Sequence, residues 1–92
     1  MNQFRKEVVK GILEDNFVEV LNKVAGILEP AEKNLFEARA MRLYGDCTGL
    51  KGQVVMAYWA EALTKEEYDV FFSIASDMAN DAHHLAYFGH FL

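Results

Sequence analysis

The sequence predicts an all-α fold, a compact bundle of four to five short helices in a single helical domain that spans residues 1–92. Three observations predict it. Apolar residues recur with the helical period through most of the chain, capping signals mark helix starts, and a glycine-rich segment, residues 45–52, interrupts the period. A chain of 92 residues with 52% hydrophobic content forms one domain with its own core.

The first predicted helix lies near the N-terminus. One of its faces is apolar and the opposite face is charged, which is typical of an amphipathic helix. The apolar stripe consists of Phe4, Val8, Val9, Ile12 and Leu13. We expect this stripe to face the core of the bundle.

A second helix is predicted to begin near Asp15 or Asn16, because Asn16 and Glu19 have the spacing of a capping box. The apolar stripe runs almost in phase across this junction, however, so one long helix over residues 2–28 is the alternative. The sequence leaves the choice between one helix and two open. The inner face in either case consists of Phe17, Val20, Leu21, Val24, Ile27 and Leu28.

The third predicted helix begins at Pro30, since a proline at the first helical position lacks only an N–H that would have been unpaired there. It runs to Tyr44, and Gly45 ends it as a left-handed C-cap. Residues 45–52 contain three glycines, which break a helix and permit positive φ angles. This segment is therefore predicted to be the one clear loop.

The fourth predicted helix, residues 53–63, is apolar nearly all round, so we expect it to be central, with Tyr58 and Trp59 in the core. A short buried strand at Val54 and Val55 is the alternative. The last helix is long, from about residue 65 to about residue 88, and begins at a capping box formed by Thr64 and Glu67. Its expected inner face consists of Tyr68, Phe71, Ile74, Ala75, Met78, Ala82 and Leu85.

The net charge of −5 lies entirely in residues 53–92, where six acids accompany one base, whereas residues 1–52 contain eight of each. Such asymmetry indicates an acidic surface for a protein partner. It disfavours direct nucleic-acid binding, which depends on lysine and arginine, and binding to anionic membranes. The longest uncharged apolar run, residues 54–60, is far shorter than the ~20 residues that span a bilayer.

The cysteine content indicates a cytoplasmic protein. Cys47 is the single cysteine, so no intramolecular disulfide can form, and no apolar stretch of signal-peptide length follows the N-terminus. A catalytic thiol requires a base and a positive environment, whereas Asp46 next to Cys47 is negative. We therefore expect a structural thiol in a protein that is not an enzyme and that uses no cofactor, since no catalytic or phosphate-binding motif is present.

One constellation on the last predicted helix could bind a metal. Asp77, Asp81 and His84 stand at positions i, i+4 and i+7 with His83 beside them, a spacing that places carboxylates and an imidazole on one face. A single helix rarely completes a tetrahedral shell, so a solvated acidic face is the preferred interpretation. A metal-binding factor remains a third hypothesis, and a pH switch at His83, His84 and His90 is a related one.

The aromatic residues of the C-terminal forty exceed what the inner faces of two helices need. Phe71 and Phe72 point about 100° apart on a helix, so at most one is central to the core. Residues 87–92 place rings and a leucine at a terminus, where they either cover the open end of the bundle or bind a partner. The predicted partner-binding residues are Glu61, Glu66, Glu67, Asp69, Phe72, Asp77, Asp81, Tyr87, Phe88, Phe91 and Leu92.

These features predict a non-enzymatic protein–protein interaction module, a small acidic adaptor or inhibitor that binds a basic surface of a larger protein. If that surface binds nucleic acid, the chain would act as a phage-type inhibitor whose carboxylates stand in for phosphates. The alternative is a self-associating scaffold protein, a homodimer through the aromatic C-terminal helix. Its interface would consist of Phe72, Phe88, Phe91 and Leu92.

Overall fold

The computed structural model describes residues 2–27 and 33–88, which form three long α-helices. These are α1 (Gln3–Ile27), α2 (Lys33–Trp59) and α3 (Lys65–Phe88). The prediction of an all-α fold is confirmed, and the described ranges contain no strand. The predicted number of helices is wrong for these ranges, because three long helices replace four to five short ones. None of the three is both long and apolar enough to cross a membrane.

α1 is one continuous helix, so the second helix start predicted at Asn16 is wrong. The Nδ2 group of Asn16 donates a 2.7 Å hydrogen bond to Oε1 of Gln53 on α2 instead of capping a helix. The real cap is Asn2, whose Oδ1 accepts a 2.8 Å hydrogen bond from the N–H of Arg5. Asn16, which resembles a helix start signal in the sequence, thus links α1 to α2.

α2 continues without a break through residues 45–52, so the predicted loop and the predicted C-cap at Gly45 are both wrong. Each glycine costs about 1 kcal/mol relative to alanine in a helix interior. Packing of the neighbouring side chains overcomes this cost: Cys47, Leu50 and Val54 are at most 1% exposed. The alternative strand at Val54 and Val55 is likewise replaced by helix.

The connection from α2 to α3 is a Schellman motif. Glu61 has a φ of 62°, in the left-handed region, and its N–H donates a 2.9 Å hydrogen bond to the carbonyl of Tyr58. The N–H of Ala62 donates a second bond of 2.9 Å to the carbonyl of Ala57. These bonds satisfy the last carbonyls of α2 and turn the chain sharply toward α3.

The start of α3 confirms the predicted capping box. The N–H of Thr64 donates to Oε1 of Glu67 at 3.0 Å, and the N–H of Glu67 donates to Oγ1 of Thr64 at 3.1 Å. The helix then extends to Phe88, as the sequence predicts. Pro30, the predicted start of another helix, lies outside the described residues.

The core lies along α2, which packs against both other helices. α3 contributes a seam of small residues, Ala75, Ala79 and Ala82, none more than 4% exposed. α1 and α3 also touch, because the rings of Phe17 and Phe71 lie 5.2 Å apart between centroids. The buried residues of α1 are Leu13, Phe17, Val20 and Ile27.

Several residues predicted for the core are exposed. Trp59 is 72% exposed and Ile74 is 43% exposed, although both were assigned to inner faces. Apolar residues surround the whole circumference of α1, so helical period alone does not select its inner face. The wrongly assigned residues of α1 are Phe4, Val8, Ile12 and Leu21, which are 44% to 73% exposed.

Candidate partner-binding surface

The two sides of α3 differ sharply in chemistry. Its alanine seam packs on α2, and the opposite side carries acids together with exposed apolar residues. Val70 is 57% exposed and Phe88 is 65% exposed on that side. No lysine or arginine of the described residues forms an ion pair with its carboxylates. We call this surface the acidic face of α3, and it consists of Glu66, Val70, Ile74, Asp77, Asp81 and Phe88.

Glu61 extends the acidic surface beyond the first turn of α3. The residue is exposed, and its position at the end of α2 is held by the two hydrogen bonds of the Schellman motif. Glu66 is exposed in the first turn of α3. Both side chains are therefore placed by ordered backbone and remain open to a partner.

Glu67 and Asp69, two other predicted partner-binding acids, are engaged within the chain. Glu67 forms an ion pair with Lys10 of α1 and also caps α3. The hydrogen bond from Lys10, followed by the backbone bond from Thr64, lowers the pKa of Glu67 below its ordinary value of 4.5. Asp69 accepts a 2.7 Å hydrogen bond from Nζ of Lys65, one turn away. Glu67 thus joins two helices, and Asp69 forms an exposed surface pair.

Phe72, predicted to bind a partner, has contacts within its own chain. Phe72 is half-buried and packs against the core together with Phe71. Its ring stacks on that of Tyr68 at 5.5 Å between centroids, and Nζ of Lys51 on α2 lies 5.6 Å from its centroid. Tyr58 of α2 completes the cluster, 4.6 Å from Tyr68. Phe72 therefore secures the packing of α3 on α2.

The aromatic end of α3 is exposed where the structure describes it. Tyr87 is 63% exposed, and its ring lies 4.6 Å from that of His83, which also contacts Tyr44 of α2 at 5.3 Å. The ring of Phe88 lies 4.6 Å from that of His84. Two of the predicted binding rings are thus accessible. The remaining predicted residues, Phe91 and Leu92, together with His90, lie outside the described residues.

The metal hypothesis gains no geometric support from the described part of the chain. There, no group of three or more histidine, cysteine or acidic side chains is arranged to hold a metal ion. Asp77 is exposed, whereas Asp81 and His84 are half-buried. Residues at positions i, i+4 and i+7 share one face, and one helix face alone rarely completes a tetrahedral shell.

Cys47 is buried between α2 and α3, as expected for a structural thiol. Its side chain is fully enclosed, with 0% exposure. Burial, and to a smaller extent the negative charges of Asp46 and Asp81, raises the pKa of Cys47 to about 11. A thiol with this pKa is protonated at neutral pH and is a poor nucleophile.

The sequence analysis missed a second accessible apolar surface, on α1 and α2. Phe4, Val8 and Ile12 of α1 and Met56 and Trp59 of α2 are 44% to 73% exposed. We call these five residues the α1–α2 patch. Two of them, Ile12 and Met56, line a groove of about 710 Å³ between the two helices. The sequence signal for this surface was the absence of charge from residues 52–60, which had been interpreted as burial.

Comparison of this chain with protein-family models, with curated proteins and with solved structures finds no significant match. Function is therefore inferred from the chemistry of the acidic face of α3 and of the α1–α2 patch. One is acidic with scattered apolar residues, and the other is apolar with little charge. Their chemistry implies different partners.

Proposed function

We propose that this chain is a non-enzymatic protein–protein interaction module that binds a basic surface of a larger protein through the acidic face of α3. One observation carries the proposal. Glu66, Asp77 and Asp81 lie on one side of a continuous 24-residue helix, interleaved with exposed Val70 and Phe88, and no lysine or arginine of the described residues forms an ion pair with them.

The two kinds of side chain on this face have separate roles. The exposed apolar residues supply affinity by leaving water, as anchors at protein interfaces do. The carboxylates accelerate encounter with a positively charged surface and reject acidic partners. A helix of 24 residues is about 36 Å long, which suits a groove with apolar pockets and a basic rim.

The finer form of the proposal is an adaptor or inhibitor that acts in the cytoplasm. A basic groove that binds nucleic acid would present the charge pattern that this face complements, because lysines and arginines there contact phosphates. The chain would then occupy the groove and exclude the nucleic acid. An activity of this kind is typical of small phage inhibitors, and it requires no catalytic group.

Charge-matched variants test the proposal. One variant carries E66Q, D77N and D81N, and the control carries E14Q, D15N and E37Q, which remove the same charge from α1 and α2. Immobilised wild-type protein and the control are expected to capture the same specific basic protein from host lysate in about 0.1 M salt. The α3 variant is expected to lose it, and about 1 M salt is expected to release it from the wild type.

Two results would contradict the proposal. If the α3 variant retains the captured protein, the acidic face is not the binding surface. If the control loses the protein to the same extent, net charge alone explains the binding. A further variant with V70S and F88S tests the anchors, because it keeps all charges and is expected to weaken capture at both salt concentrations.

The alternative function, a homodimer through the aromatic end of α3, is less well supported. Phe72, one of its predicted contacts, packs against the core of its own chain. Phe88 is exposed and available, but it shares its face with Asp77 and Asp81, which would face the same charges in a two-fold interface. A partner of opposite charge suits this face better than a second copy does.

A further inference from the structure

The α1–α2 patch consists of exposed apolar residues on the hairpin of α1 and α2. Val8 and Phe4 precede Ile12 by one and two helical turns, so the three side chains form one ridge of α1. Met56 and Trp59 are three residues apart and form a ridge of α2. Ile12 and Met56 line the groove that separates the ridges. The patch is therefore a groove between two apolar ridges.

The floor of this groove contains glycines that no contact within the chain requires. Gly49 and Gly52 line the groove from α2. A Cβ atom built at either position would meet no other atom within 4 Å. Alanine would therefore fit both positions in the isolated chain and would favour the helix. Glycine at these positions keeps the groove deep enough for side chains that come from outside.

The charges around the patch favour a second copy over a charged partner. A two-fold interface places the same surface against itself, so its centre must contain few like charges. Every residue that lines the groove is uncharged. Lys10 next to it is paired with Glu67 of α3, and the charged residues between Phe4 and Val8, which are Arg5, Lys6 and Glu7, are of both signs. The acids of the acidic face of α3 are not among the residues that line this groove. Two copies can therefore meet at this patch without bringing their acidic faces together.

The area of the patch approaches what a dimer requires. Its five side chains together expose roughly 600 Å², at the upper limit for apolar patches on monomeric proteins. A standard interface buries about 800 Å² per partner, and the flanking groove supplies part of the difference. The chain is also elongated, with a Cα radius of gyration of 14.6 Å where a compact chain of this length has about 12 Å. Much of the surface of α1 and α2 thus stays accessible.

We infer that the α1–α2 patch binds the same patch of a second copy, which gives a two-fold dimer with four helices, two from each copy, at its centre. The Ile12 ridge of one copy fills the groove of the other. This inference is independent of the proposed function, because the two use different surfaces. The dimer presents two acidic faces of α3, one from each copy.

Sedimentation equilibrium of the purified full chain tests the inference. We expect a monomer–dimer equilibrium with a Kd on the order of 10 µM in about 0.1 M salt. The dimer is expected to be tighter in about 1 M salt, because each copy has a net charge of −5 and salt screens the repulsion. A chain that stays monomeric at about 100 µM in the higher salt would overturn the inference.

Two exposed apolar residues provide a matched pair of variants. M56E is expected to raise the dimer Kd at least about 30-fold, since it places a carboxylate at the centre of the interface. V70E makes the same change on the acidic face of α3 and is expected to leave the Kd unchanged. Both positions are more than half exposed, so both chains are expected to fold. The reverse pattern would show that the copies associate through α3.

The glycines provide a test in which folding and association change in opposite directions. G49A and G52A are expected to raise the Tm of the monomer, because alanine favours the helix and meets no neighbour. The same substitutions are expected to weaken the dimer at least about threefold by filling the groove. Gly45 lies outside the groove on the same helix. G45A is therefore expected to raise the Tm without changing the affinity of the dimer. Dimer affinity that is unchanged in G49A and G52A would contradict the proposed packing.

Discussion

α2 packs against its two neighbours in different ways. On the α3 side, Ala75, Ala79 and Ala82 belong to the same buried cluster as Cys47 of α2, and the seam is closed. On the α1 side, α2 presents glycines to a groove that stays open. The comparison shows that small residues do not by themselves bring helices together. They give a closed seam only where the facing helix supplies side chains that fill the space.

Polar links between α1 and the rest of the chain accompany this difference. Asn16 bonds to Gln53, and Nζ of Lys23 lies 2.9 Å from Oδ2 of Asp46, so two links join α1 to α2. These bonds fix the register of α1 on α2 at separate points. Exposed pairs of this kind contribute little free energy compared with apolar packing. We therefore expect the hairpin of α2 and α3 to be the more stable part of the fold.

The largest expected effect is overpacking of the closed seam. A75L inserts a larger side chain at a residue with 0% exposure and is expected to lower the free energy of unfolding by about 2–3 kcal/mol. G45L adds a leucine to the other side of α2, where nothing lies within 4 Å of the Cβ position. G45L is expected to cause no loss in the free energy of unfolding, because leucine favours the helix. Urea unfolding of both variants measures the difference, and equal losses would refute the contrast between the two seams.

The next largest expected loss of stability comes from removing the cap at the start of α3. T64A removes the hydroxyl that accepts the N–H of Glu67, and it is expected to cost about 1 kcal/mol in urea unfolding. Thr48 provides the control, since its hydroxyl donates to the carbonyl of Tyr44 within α2. T48A is expected to change stability by less than about 0.5 kcal/mol, because that carbonyl already belongs to the helix. Similar losses in both variants would show that the cap has no special role.

The accuracy of the sequence predictions follows the same division between helices. The bounds of α3 were predictable because Thr64 and Glu67 supply a complete local start signal and one face of the helix is apolar. For α1 and α2 the local signals were misleading. Asn16 resembles a cap, and three glycines resemble a loop, but contacts with residues distant in the sequence decide both. The bond between Asn16 and Gln53 is not visible in any local pattern.

The candidate surface was predictable to the extent that it depends on α3 alone. Glu66, Asp77 and Asp81 share a face by spacing, and within residues 2–27 and 33–88 no lysine or arginine forms an ion pair with them. Glu67 and Phe72 differ because other helices engage them. Lys10 of α1 pairs with Glu67, and Lys51 of α2 lies over the ring of Phe72. No periodicity of one helix reveals such partners.

A smaller effect is expected where the closed seam begins, at the turn between α2 and α3. Glu61 has a φ of 62°, which glycine adopts without strain and other residues do not. E61G is expected to raise the free energy of unfolding by about 0.5–1 kcal/mol, which differential scanning calorimetry detects as a higher Tm. E66G, at an exposed helical position of α3, is expected to lower the Tm. A lower Tm for E61G would contradict the role of the turn.

The smallest expected effect concerns the ion pair that joins α1 to α3. The pKa of Glu67 is lowered in the folded chain, chiefly by the hydrogen bond from Lys10. A lowered carboxyl pKa stabilises the fold above the ordinary value of 4.5, and this contribution is lost as the pH falls below it. E67Q removes the charge, although glutamine can keep the capping box. We therefore expect the stability of E67Q to fall less between about pH 5 and pH 3 than that of the wild type.

Thermal unfolding across this pH range measures the effect, and E66Q serves as its control. Glu66 is exposed in the same turn of α3 and pairs with no lysine or arginine of the described helices. E66Q is therefore expected to keep the acid slope of the wild type. The difference should diminish at high salt, because Lys10 is partly exposed and salt screens the pair. If E67Q and the wild type lose stability in parallel, the contact between Lys10 and Glu67 does not hold α1 to α3, and the aromatic contact of Phe17 with Phe71 has to do so.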